Sequence, residues 1–232
     1  MLEVRDLHSY YGDAHVLQGA SLTVGASEVV ALLGRNGMGK TSLIRSIMGL
    51  ASPQVRAGSV SWKGQSLLSL APHEIARRKI GYVPQGRCLF PSLTVTEHLT
   101  VLKSDKSKEG WTPERVFGLF PRLAERRQHR GTQLSGGERQ MLAVARALMI
   151  DPELILMDEP SEGLAPVMVE HLEDIIRNLK RQSLAILLVE QNLYSALNVA
   201  DRVVVLESGK TVFEGKSGGL PPETFSQYLG VR

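Results

Sequence analysis

The chain has 232 residues, of which 43% are hydrophobic and 22% charged, a composition typical of a globular protein with one large domain or a core domain and a smaller appendage. Its net charge of +3 is not gathered into one block, so the charge does not by itself indicate a nucleic-acid partner. A single cysteine, Cys88, which we expect to be buried, excludes an internal disulfide and indicates a reducing compartment, and we expect neither a signal peptide nor a membrane span, because no apolar window approaches ~20 residues.

Strand patterns open the chain. Alternating apolar residues predict half-buried strands over Leu2–Leu7 and Ala20–Val24, on either side of the turn-rich Tyr11-Gly12-Asp13. The run Val29–Leu33 predicts a buried strand, and Ser42–Met48 has a helical pattern. The next predicted elements are a hairpin arm at Ser59–Trp62, a short polar helix over Pro72–Lys79 and a strand over Ile80–Val83.

From about residue 88 to residue 130 the sequence has no strand-like run and shows helical periodicity instead. Helices are predicted over Val95–Lys103 and Pro113–Arg127, and the polar linker Ser104–Gly110 between them is expected to be mobile. We interpret the basic residues between Arg122 and Arg130 as a solvated helix face. This region is therefore predicted to be a helical subdomain inserted into a sheet-bearing domain.

Strands and helices alternate in the second half of the chain. The predicted order is a helix over Glu138–Ile150, a strand over Leu154–Met157, a helix over Pro166–Arg181, a strand over Ala185–Val189, a helix over Leu193–Val199 and a final hairpin of Val203–Leu206 with Thr211–Phe213. Such alternation predicts an α/β fold whose mainly parallel sheet is covered by helices on both faces.

The most informative segment lies between the third strand and its helix, and reads Gly34-Arg35-Asn36-Gly37-Met38-Gly39-Lys40-Thr41. It fits the pattern G-x-x-x-x-G-K-[ST] of a phosphate-binding loop in the strand–loop–helix context that the motif requires. Its glycines let backbone N–H groups point into one concavity, which a triphosphate fills at the positive end of the following helix. We expect Lys40 to reach the β- and γ-phosphates, Thr41 to ligate Mg²⁺, and Ser42 to border the phosphates. The chain is therefore predicted to bind a nucleoside triphosphate.

Two carboxylates, Asp158 and Glu159, follow the predicted strand Leu154–Met157. The carboxyl end of a buried parallel strand opens at the crevice where ligands bind. We therefore predict that Asp158 holds Mg²⁺ opposite Thr41 and that Glu159 polarises the water that attacks the γ-phosphate.

A second candidate phosphate site precedes the helix over Glu138–Ile150. Ser135 and Glu138 have the S-x-x-E spacing of a capping box. Gly136 and Gly137, between them, expose backbone N–H groups at the positive end of the helix. Two phosphate-binding helix ends in one chain are typical of proteins in which two chains share a nucleotide.

The motifs resemble, in order, those of the ATPase subunit of ATP-binding-cassette (ABC) transporters. They are the phosphate loop, Gln85 after a strand, LSGGERQ at residues 134–140 and LILMDEP at residues 154–160. The resemblance implies an α/β P-loop NTPase fold of the ABC ATPase type, with a mainly parallel sheet, an antiparallel β edge and an inserted helical subdomain. Residues 1–87 and 151–232 would form the core with its β subdomain, and residues 88–150 the helical subdomain with the signature motif.

Several segments are similar to the ATPase subunits of importers for branched-chain amino acids and for urea or amides. These are YVPQGR at 82–87, LFPSLTVTEHL at 89–99, EGLAP at 162–166 and LVEQN at 188–192. The likeness implies ATP hydrolysis that drives two permease subunits, a periplasmic solute-binding protein that delivers the solute, and a place on the cytoplasmic face of the inner membrane. No nucleic-acid partner is implied.

The resemblance also implies roles for individual residues. Tyr11 would stack on adenine, and Gln85 would sense the Mg²⁺ site and face the permease. Residues 161–164 would cross the interface between two paired ATP sites. The catalytic residues would be Lys40, Glu159 and the residue at position 191.

At position 191 the chain departs from the family pattern. Many ABC ATPases carry a His there that contacts the γ-phosphate, whereas this chain has Gln191. Glutamine can donate a hydrogen bond but cannot carry a proton or a charge, so the activity of this chain's own site stays open. The resemblance implies a second ATPase subunit of a different kind, which can bring its own His.

Two other functions stay open at this point. A soluble ABC ATPase that acts on DNA or ribosomes would need a coiled-coil insertion or a second tandem cassette, and the sequence has neither. A weakly hydrolysing regulatory cassette is compatible with Gln191, although the intact Glu159 argues against it.

Overall fold

The computed structural model describes residues 1–101 and 110–218. The strands are β1 (Leu2–Tyr11), β2 (Ala14–Val24), β3 (Val29–Leu33), β4 (Gln54–Trp62), β5 (Gln65–Ser66), β6 (Ile80–Val83), β7 (Leu154–Asp158), β8 (Ala185–Val189), β9 (Arg202–Glu207) and β10 (Lys210–Lys216). The α-helices are α1 (Lys40–Ile47), α2 (Pro72–Arg77), α3 (Val95–Thr100), α4 (Pro113–Leu119), α5 (Pro121–Glu125), α6 (Gly136–Leu148), α7 (Pro166–Arg181) and α8 (Leu193–Val199). Within these ranges no helix is both long and apolar enough to cross a membrane. The predicted mobile linker, Ser104–Gly110, lies outside the described residues except for its last residue.

A mixed, mostly parallel sheet has the strand order β10-β9-β3-β8-β7-β6. β3 pairs in parallel with β8 and β9, and β7 pairs in parallel with β6 and β8, while β10 runs antiparallel to β9. β3, β7 and β8 are buried along their whole length, as continuous apolar runs predict for strands covered on both faces. The carboxyl ends of the parallel strands open at one edge of the sheet, where ligands bind in open α/β folds.

Alternate residues of β3 pack on opposite faces of this sheet. Val30 and Leu32 pack in a cluster with buried residues of α1 and of the first two strands. Ala31 and Leu33 belong to a second cluster, which includes buried residues of α4, α6 and α7. The sheet is therefore covered on both faces, as the alternating pattern of elements predicted.

A separate antiparallel sheet has the order β2-β1-β4-β5. The β1–β2 hairpin turns at Gly12-Asp13, so Tyr11 lies directly before the turn. Both strands are longer than predicted, since β1 runs on to Tyr11 and β2 starts at Ala14. The register shifts within this pairing interrupt the alternation from which strand ends are predicted.

The prediction of one helix over Pro113–Arg127 was wrong. The helix is interrupted at Phe120, which has the non-helical dihedral angles φ −122° and ψ 72° and stands directly before the first residue of α5. Pro121 causes the break, because its ring disfavours a helical conformation at the residue before it. Phe120 is 1% exposed, so the break delivers an aromatic ring to the core. The basic side chains from Arg122 to Arg130 are largely exposed, as predicted.

The helices after the two glycine-rich segments begin two residues earlier than predicted. α6 starts at Gly136 because its capping box forms: Ser135 Oγ accepts from Glu138 N at 3.2 Å and Ser135 N donates to Glu138 Oε2 at 2.7 Å. These bonds satisfy donors that the first turn leaves free. α1 likewise starts at Lys40, with Gly39 as its N-cap residue.

The expectation that Cys88 is buried was also wrong. Its thiol is exposed, and its backbone N–H donates to Gly86 O at 2.8 Å in a turn where Cys88 has φ +36°. The turn after β6 carries the side chain to the surface, which the apolar neighbours in the sequence do not reveal.

Candidate active site

The carboxyl ends of four parallel strands meet beside the start of α1 and the β1–β2 turn. A cavity of about 440 Å³ opens there. The predicted site residues that line it are Tyr11, Asn36, Gly37, Gly39, Lys40, Thr41, Ser42, Gln85, Glu159 and Gln191. The fold therefore gathers residues that span 180 positions of sequence, from residue 11 to residue 191, around one cavity.

The loop between β3 and α1 curves around the Lys40 side chain. Gly34 passes so close to β9 that a Cβ atom there would lie 2.4 Å from the Leu206 carbonyl oxygen. Gly39 has φ +100°, a conformation that glycine adopts without strain. Lys40 Nζ donates to the carbonyl oxygens of Gly34 at 2.8 Å and Arg35 at 3.2 Å. The loop thus holds the ammonium group of its own lysine, and this lysine lines the cavity.

Met38 supports this loop from outside. Its carbonyl oxygen accepts from Gly209 N at 3.0 Å, and Ser208 N donates to its Sδ at 3.2 Å. Both donors lie in the β9–β10 turn. Gly34, Arg35 and Met38 shape the loop without lining the cavity itself.

Three side chains converge on the carboxylate of Glu159. Lys40 Nζ lies 3.3 Å from Oε1, and the two side chains are only 4% and 7% exposed. Gln85 Nε2 donates to Oε2 at 3.1 Å and Gln191 Nε2 donates to the same oxygen at 2.7 Å. Glu159 has φ +48°, a conformation uncommon for residues other than glycine and typical of functional positions that the surroundings hold in place.

Asp158 and Thr41 form the candidate metal site. Thr41 Oγ1 donates to Asp158 Oδ1 at 3.1 Å, while Asp158 Oδ2 is buried without a hydrogen-bond partner. Burial, together with the charge of Glu159, raises the pKa of Asp158 to about 6. A buried oxygen without a donor, beside a hydroxyl, suits a hard cation such as Mg²⁺.

Protein carboxylates alone do not complete such a site. Among residues 1–101 and 110–218 no cluster of three or more His, Cys, Asp or Glu side chains is placed to hold a metal ion. Mg²⁺ typically keeps several waters and binds through one or two carboxylates plus substrate phosphates. The residues here therefore fit a cation that arrives with a nucleotide.

Tyr11 forms the rim of the cavity. Its ring is 39% exposed, and its hydroxyl lies 3.5 Å from Ser42 Oγ in α1. An exposed aromatic face at the edge of a phosphate loop is available for a planar base to stack on.

Ser135, Gly136 and Gly137 lie apart from this cavity. They begin α6, and Ser135 borders a different cavity of about 460 Å³ between α5, α6 and α7. A Cβ atom on Gly137 would lie 2.8 Å from Met168 Cε, so glycine lets α7 pack closely against the start of α6. Because these residues do not line the cavity of this chain's own phosphate loop, they would contact a nucleotide only if another chain carried it to them.

Two residues at the site, Val16 and Glu190, have no role predicted from the sequence, and Glu162 was expected only to cross the interface between paired ATP sites. Val16 and Glu162 line the cavity, and Glu190 is buried directly behind it with 3% exposure. A signal was present for Glu190, because it follows a buried apolar strand as Asp158 does. No sequence signal exists for Val16, which reaches the cavity only through the path of the β1–β2 hairpin.

A match to a protein-family model identifies the family of this chain. The model described as ABC transporter matches residues 17–162, a range that contains the phosphate loop, the LSGGERQ motif and both carboxylates. The chain belongs to the ABC transporter ATP-binding family. It is an ABC ATPase, which hydrolyses ATP in a reaction coupled to transport, and subunits of this kind act with permeases.

Three curated relatives match this ABC ATPase over nearly its whole length. The high-affinity branched-chain amino acid transport ATP-binding protein BraG of Pseudomonas aeruginosa is 42% identical, over 99% of this chain and 100% of the relative. The probable branched-chain amino acid transport ATP-binding protein LivF of Archaeoglobus fulgidus is 36% identical, over 95% of this chain and 94% of the relative. The xylose/arabinose import ATP-binding protein XylG of Sulfolobus acidocaldarius is 33% identical, over 93% and 88%.

Solved structures match its fold. An ATP-binding subunit of an ABC transporter superposes with a TM-score of 0.82 at 30% identity, covering 100% of this chain and 94% of that chain. A dimeric ATP-binding cassette in a post-hydrolysis state with ADP and Pi superposes with a TM-score of 0.81 at 25% identity, covering 95% and 100%. The fold is therefore the ABC ATPase fold, with an antiparallel β subdomain, a mostly parallel sheet and helices.

Proposed function

We propose that this ABC ATPase powers the uptake of branched-chain amino acids, or of related small polar solutes such as urea and amides, through partner permeases. The observation that carries the proposal is the full-length likeness, at 42% identity, to a branched-chain amino acid transport ATP-binding protein. The sugar-import relative is less similar, at 33% identity, which favours amino acids over sugars as the solute class.

In this proposal the phosphate loop binds the nucleotide, and Asp158 binds the metal ion that accompanies it. Lys40 binds the β- and γ-phosphates, which compete with Glu159 for the Lys40 ammonium group. Tyr11 stacks on the adenine. Thr41 and Asp158 hold Mg²⁺, with Gln85 beside them. When bound, the ion neutralises negative charge on the phosphates.

Glu159 is the proposed general base. Its carboxylate accepts hydrogen bonds from Gln85 and Gln191 on one oxygen, so these two amides orient the carboxylate that takes a proton from the attacking water. Gln191 can also donate to the γ-phosphate, but it cannot transfer a proton. Lys40, Glu159 and Gln191 are therefore the proposed catalytic residues.

A second cassette completes the site. Ser135, Gly136 and Gly137 present backbone N–H groups at the start of α6, on a surface that is separate from this chain's own cavity. We propose that they bind the γ-phosphate held by the phosphate loop of a different ATPase subunit in a head-to-tail pair. Residues 161–164 then lie between the two sites, and hydrolysis separates the pair.

Residues 88–150 are the proposed helical subdomain, and the turn at residues 87–92 is the proposed permease contact. Phe90, in this turn, is 50% exposed, which is unusual for a large apolar side chain and typical of a protein contact. Docking there would place the chain peripherally on the cytoplasmic face of the inner membrane, with a periplasmic binding protein on the far side.

The test is transport by the assembled complex. The chain would be co-expressed with the permeases, second cassette and binding protein of its transporter, and ATP-dependent uptake of labelled leucine, urea and xylose would be measured in vesicles. We expect uptake of leucine or urea that needs ATP and that Lys40→Ala lowers, and no uptake of xylose. Uptake of xylose alone would overturn the proposed solute class.

A further inference from the structure

Glu190 is a buried carboxylate that the hydrolysis roles above leave unused. It directly follows β8, and its backbone N–H donates to Leu32 O of β3 at 3.2 Å. The side chain is 3% exposed and does not line the nucleotide cavity. A buried carboxylate loses its hydration, which costs free energy unless donors replace the lost water. Its partners therefore indicate what it does.

The donors that meet this carboxylate come from two segments of the site. Oε1 accepts from Ser161 N at 3.1 Å, while Oε2 accepts from Ser161 Oγ at 2.8 Å and from Gln191 N at 3.3 Å. All three donors are neutral. Burial, with a contribution from the nearby charge of Glu159, raises the pKa of Glu190 above its ordinary value. Glu190 thus ties the loop after β7 to the loop after β8.

These hydrogen bonds, together with the backbone, form a closed ring of contacts that includes the proposed general base. Ser161 stands two residues after Glu159, and Gln191 stands next to Glu190. Gln191 Nε2 donates to Glu159 Oε2 at 2.7 Å, which completes the ring. A free glutamine side chain has several rotamers, but here its backbone is held to the same carboxylate that holds Ser161. Glu190 therefore holds the Gln191 backbone at a position from which the side-chain amide reaches the Glu159 carboxylate.

We propose that Glu190 is a positioning residue for ATP hydrolysis, which clamps the Ser161 loop to the Gln191 loop and so keeps the Gln191 amide on Glu159. The inference rests on the roles proposed above for Glu159 and Gln191. Glu190 does not line the nucleotide cavity, so its loss should slow the chemical step and spare nucleotide binding. A displacement of about 1 Å at a catalytic group can cost about 10²-fold in rate.

The test compares four variants of the purified full-length chain with the parent, namely Glu190→Gln, Ser161→Ala, Ser161→Thr and Gln191→Ala. We expect Glu190→Gln to lower kcat by about 10- to 100-fold with the KM for ATP and the affinity for a fluorescent ATP analogue unchanged. Ser161→Ala, which keeps the backbone donor, should lower kcat by a smaller factor. Ser161→Thr keeps the hydroxyl and should turn over near the parent's rate.

Comparing the kcat of a double variant with those of the two single variants tests whether Glu190 acts through Gln191. If Glu190 acts through Gln191, the double variant Glu190→Gln/Gln191→Ala should be no slower than the slower single variant. Amide hydrogen exchange gives a readout that needs no turnover: Glu190→Gln should speed exchange at Ser161 and Gln191 and leave Lys40 and Thr41 as they are. Glu173, a carboxylate 7% exposed and bound to Arg177 and Asn198 away from the site, provides the control, because Glu173→Gln should alter stability but not kcat.

Each contrary outcome has a distinct meaning. If Gln191→Ala turns over like the parent, the proposed role of Gln191 fails, and this inference fails with it. If Gln191→Ala is slow while Glu190→Gln is not, or if the two losses are additive and amide exchange at Ser161 is unchanged, the inference alone is overturned.

Discussion

At the scale of single residues, the proposed chemistry depends on one carboxylate with three partners. Glu159 meets an ammonium group and two amides within 3.3 Å, and its φ of +48° costs energy that the surrounding contacts offset. Its backbone N–H donates to Val189 O at 3.0 Å, which ties it to β8. The backbone of Glu159 is therefore held in place before the substrate arrives, while in the proposed function its contact with Lys40 is exchanged for a contact between Lys40 and the phosphates.

The first prediction is that Glu159→Gln cuts ATP turnover by at least about 10²-fold, the scale of losing a general base, while ATP stays bound. Glutamine keeps the shape of the side chain and its contact with Gln85 but cannot accept the proton of the attacking water. Single-turnover hydrolysis measures the loss, and size-exclusion chromatography with ATP should show a trapped dimer. Hydrolysis at the parent's rate would mean that another group is the base.

At the scale of elements, α3 and the turn before it form one unit held by a buried histidine. His98 is fully buried; its Nδ1 faces Thr94 O at 2.8 Å and its Nε2 faces Phe90 N at 3.0 Å. A carbonyl oxygen can only accept and an N–H can only donate, so the ring is neutral with its proton on Nδ1. His98 therefore fixes the backbone of the proposed permease contact.

The second prediction is that stability falls as pH drops below the ordinary histidine range. Burial, together with Arg146, lowers the pKa of His98, although Glu97 acts in the opposite direction. Between the unfolded-state pKa, near 6.5, and the lower folded-state value, the unfolded chain binds the extra proton, so the free energy of unfolding decreases with decreasing pH. His98→Asn should cost about 1–3 kcal/mol at pH 7.5, the scale of leaving a buried donor unpaired, and the difference from the parent should shrink by pH 5.5.

Denaturant unfolding at the two pH values measures this difference. The exposed His73 provides the matched control, because His73→Asn should not alter the pH dependence. A stability difference between parent and His98→Asn that is the same at both pH values would contradict the assignment.

The third prediction concerns the turn at residues 87–92. Because Cys88 is exposed, it is first replaced by serine, and single cysteines are then placed at Leu89 or Ser92. We expect oxidative crosslinking from these positions to capture a permease subunit in membranes that hold the assembled complex. Capture only from cysteines on the β9–β10 hairpin, at residues 203–213, would overturn the proposed docking geometry.

At the scale of the whole molecule, the proposed pair gives this chain one half of each of two sites. The cavity with Lys40 and Glu159 would form half of one site, and the start of α6 with Ser135 would form half of the other. A dimeric cassette is among the solved structures that this fold resembles. Since this chain has Gln191 where many family members have His, a pair with a His-bearing partner would contain two unequal sites.

The fourth prediction is that the site built on the partner's phosphate loop and this chain's Ser135–Gly137 carries most of the turnover. Ser135→Arg should then reduce transport at least as much as Lys40→Ala, although Ser135 lies outside this chain's own cavity. Ser135→Thr keeps an N-cap hydroxyl and controls for loss of the helix cap. Gln191→His should raise the ATPase activity of this chain alone, or at least not abolish it. Equal single-turnover rates at the two sites of the wild-type pair would rule the asymmetry out.

Local sequence patterns by themselves determine much of the fold and of the site. The bounds of β3, β6, β8, α7 and α8 agree with the prediction, because each is an uninterrupted periodic run between clear breakers. The phosphate loop, Asp158, Glu159 and the capping box at Ser135 are also readable locally, since each motif works through groups that are close together in sequence.

Tertiary structure decided what depends on neighbours distant in sequence. The exposure of Cys88 follows from the direction of one turn, and the strand order places Gln85, Glu159 and Gln191 in contact across three loops. Glu190 can reach Ser161, as the proposed clamp requires, only because β7 and β8 are adjacent. A sequence shows which residue types are available and how short segments fold, but the distance between two side chains is set by packing of the whole sheet, and catalysis depends on that distance.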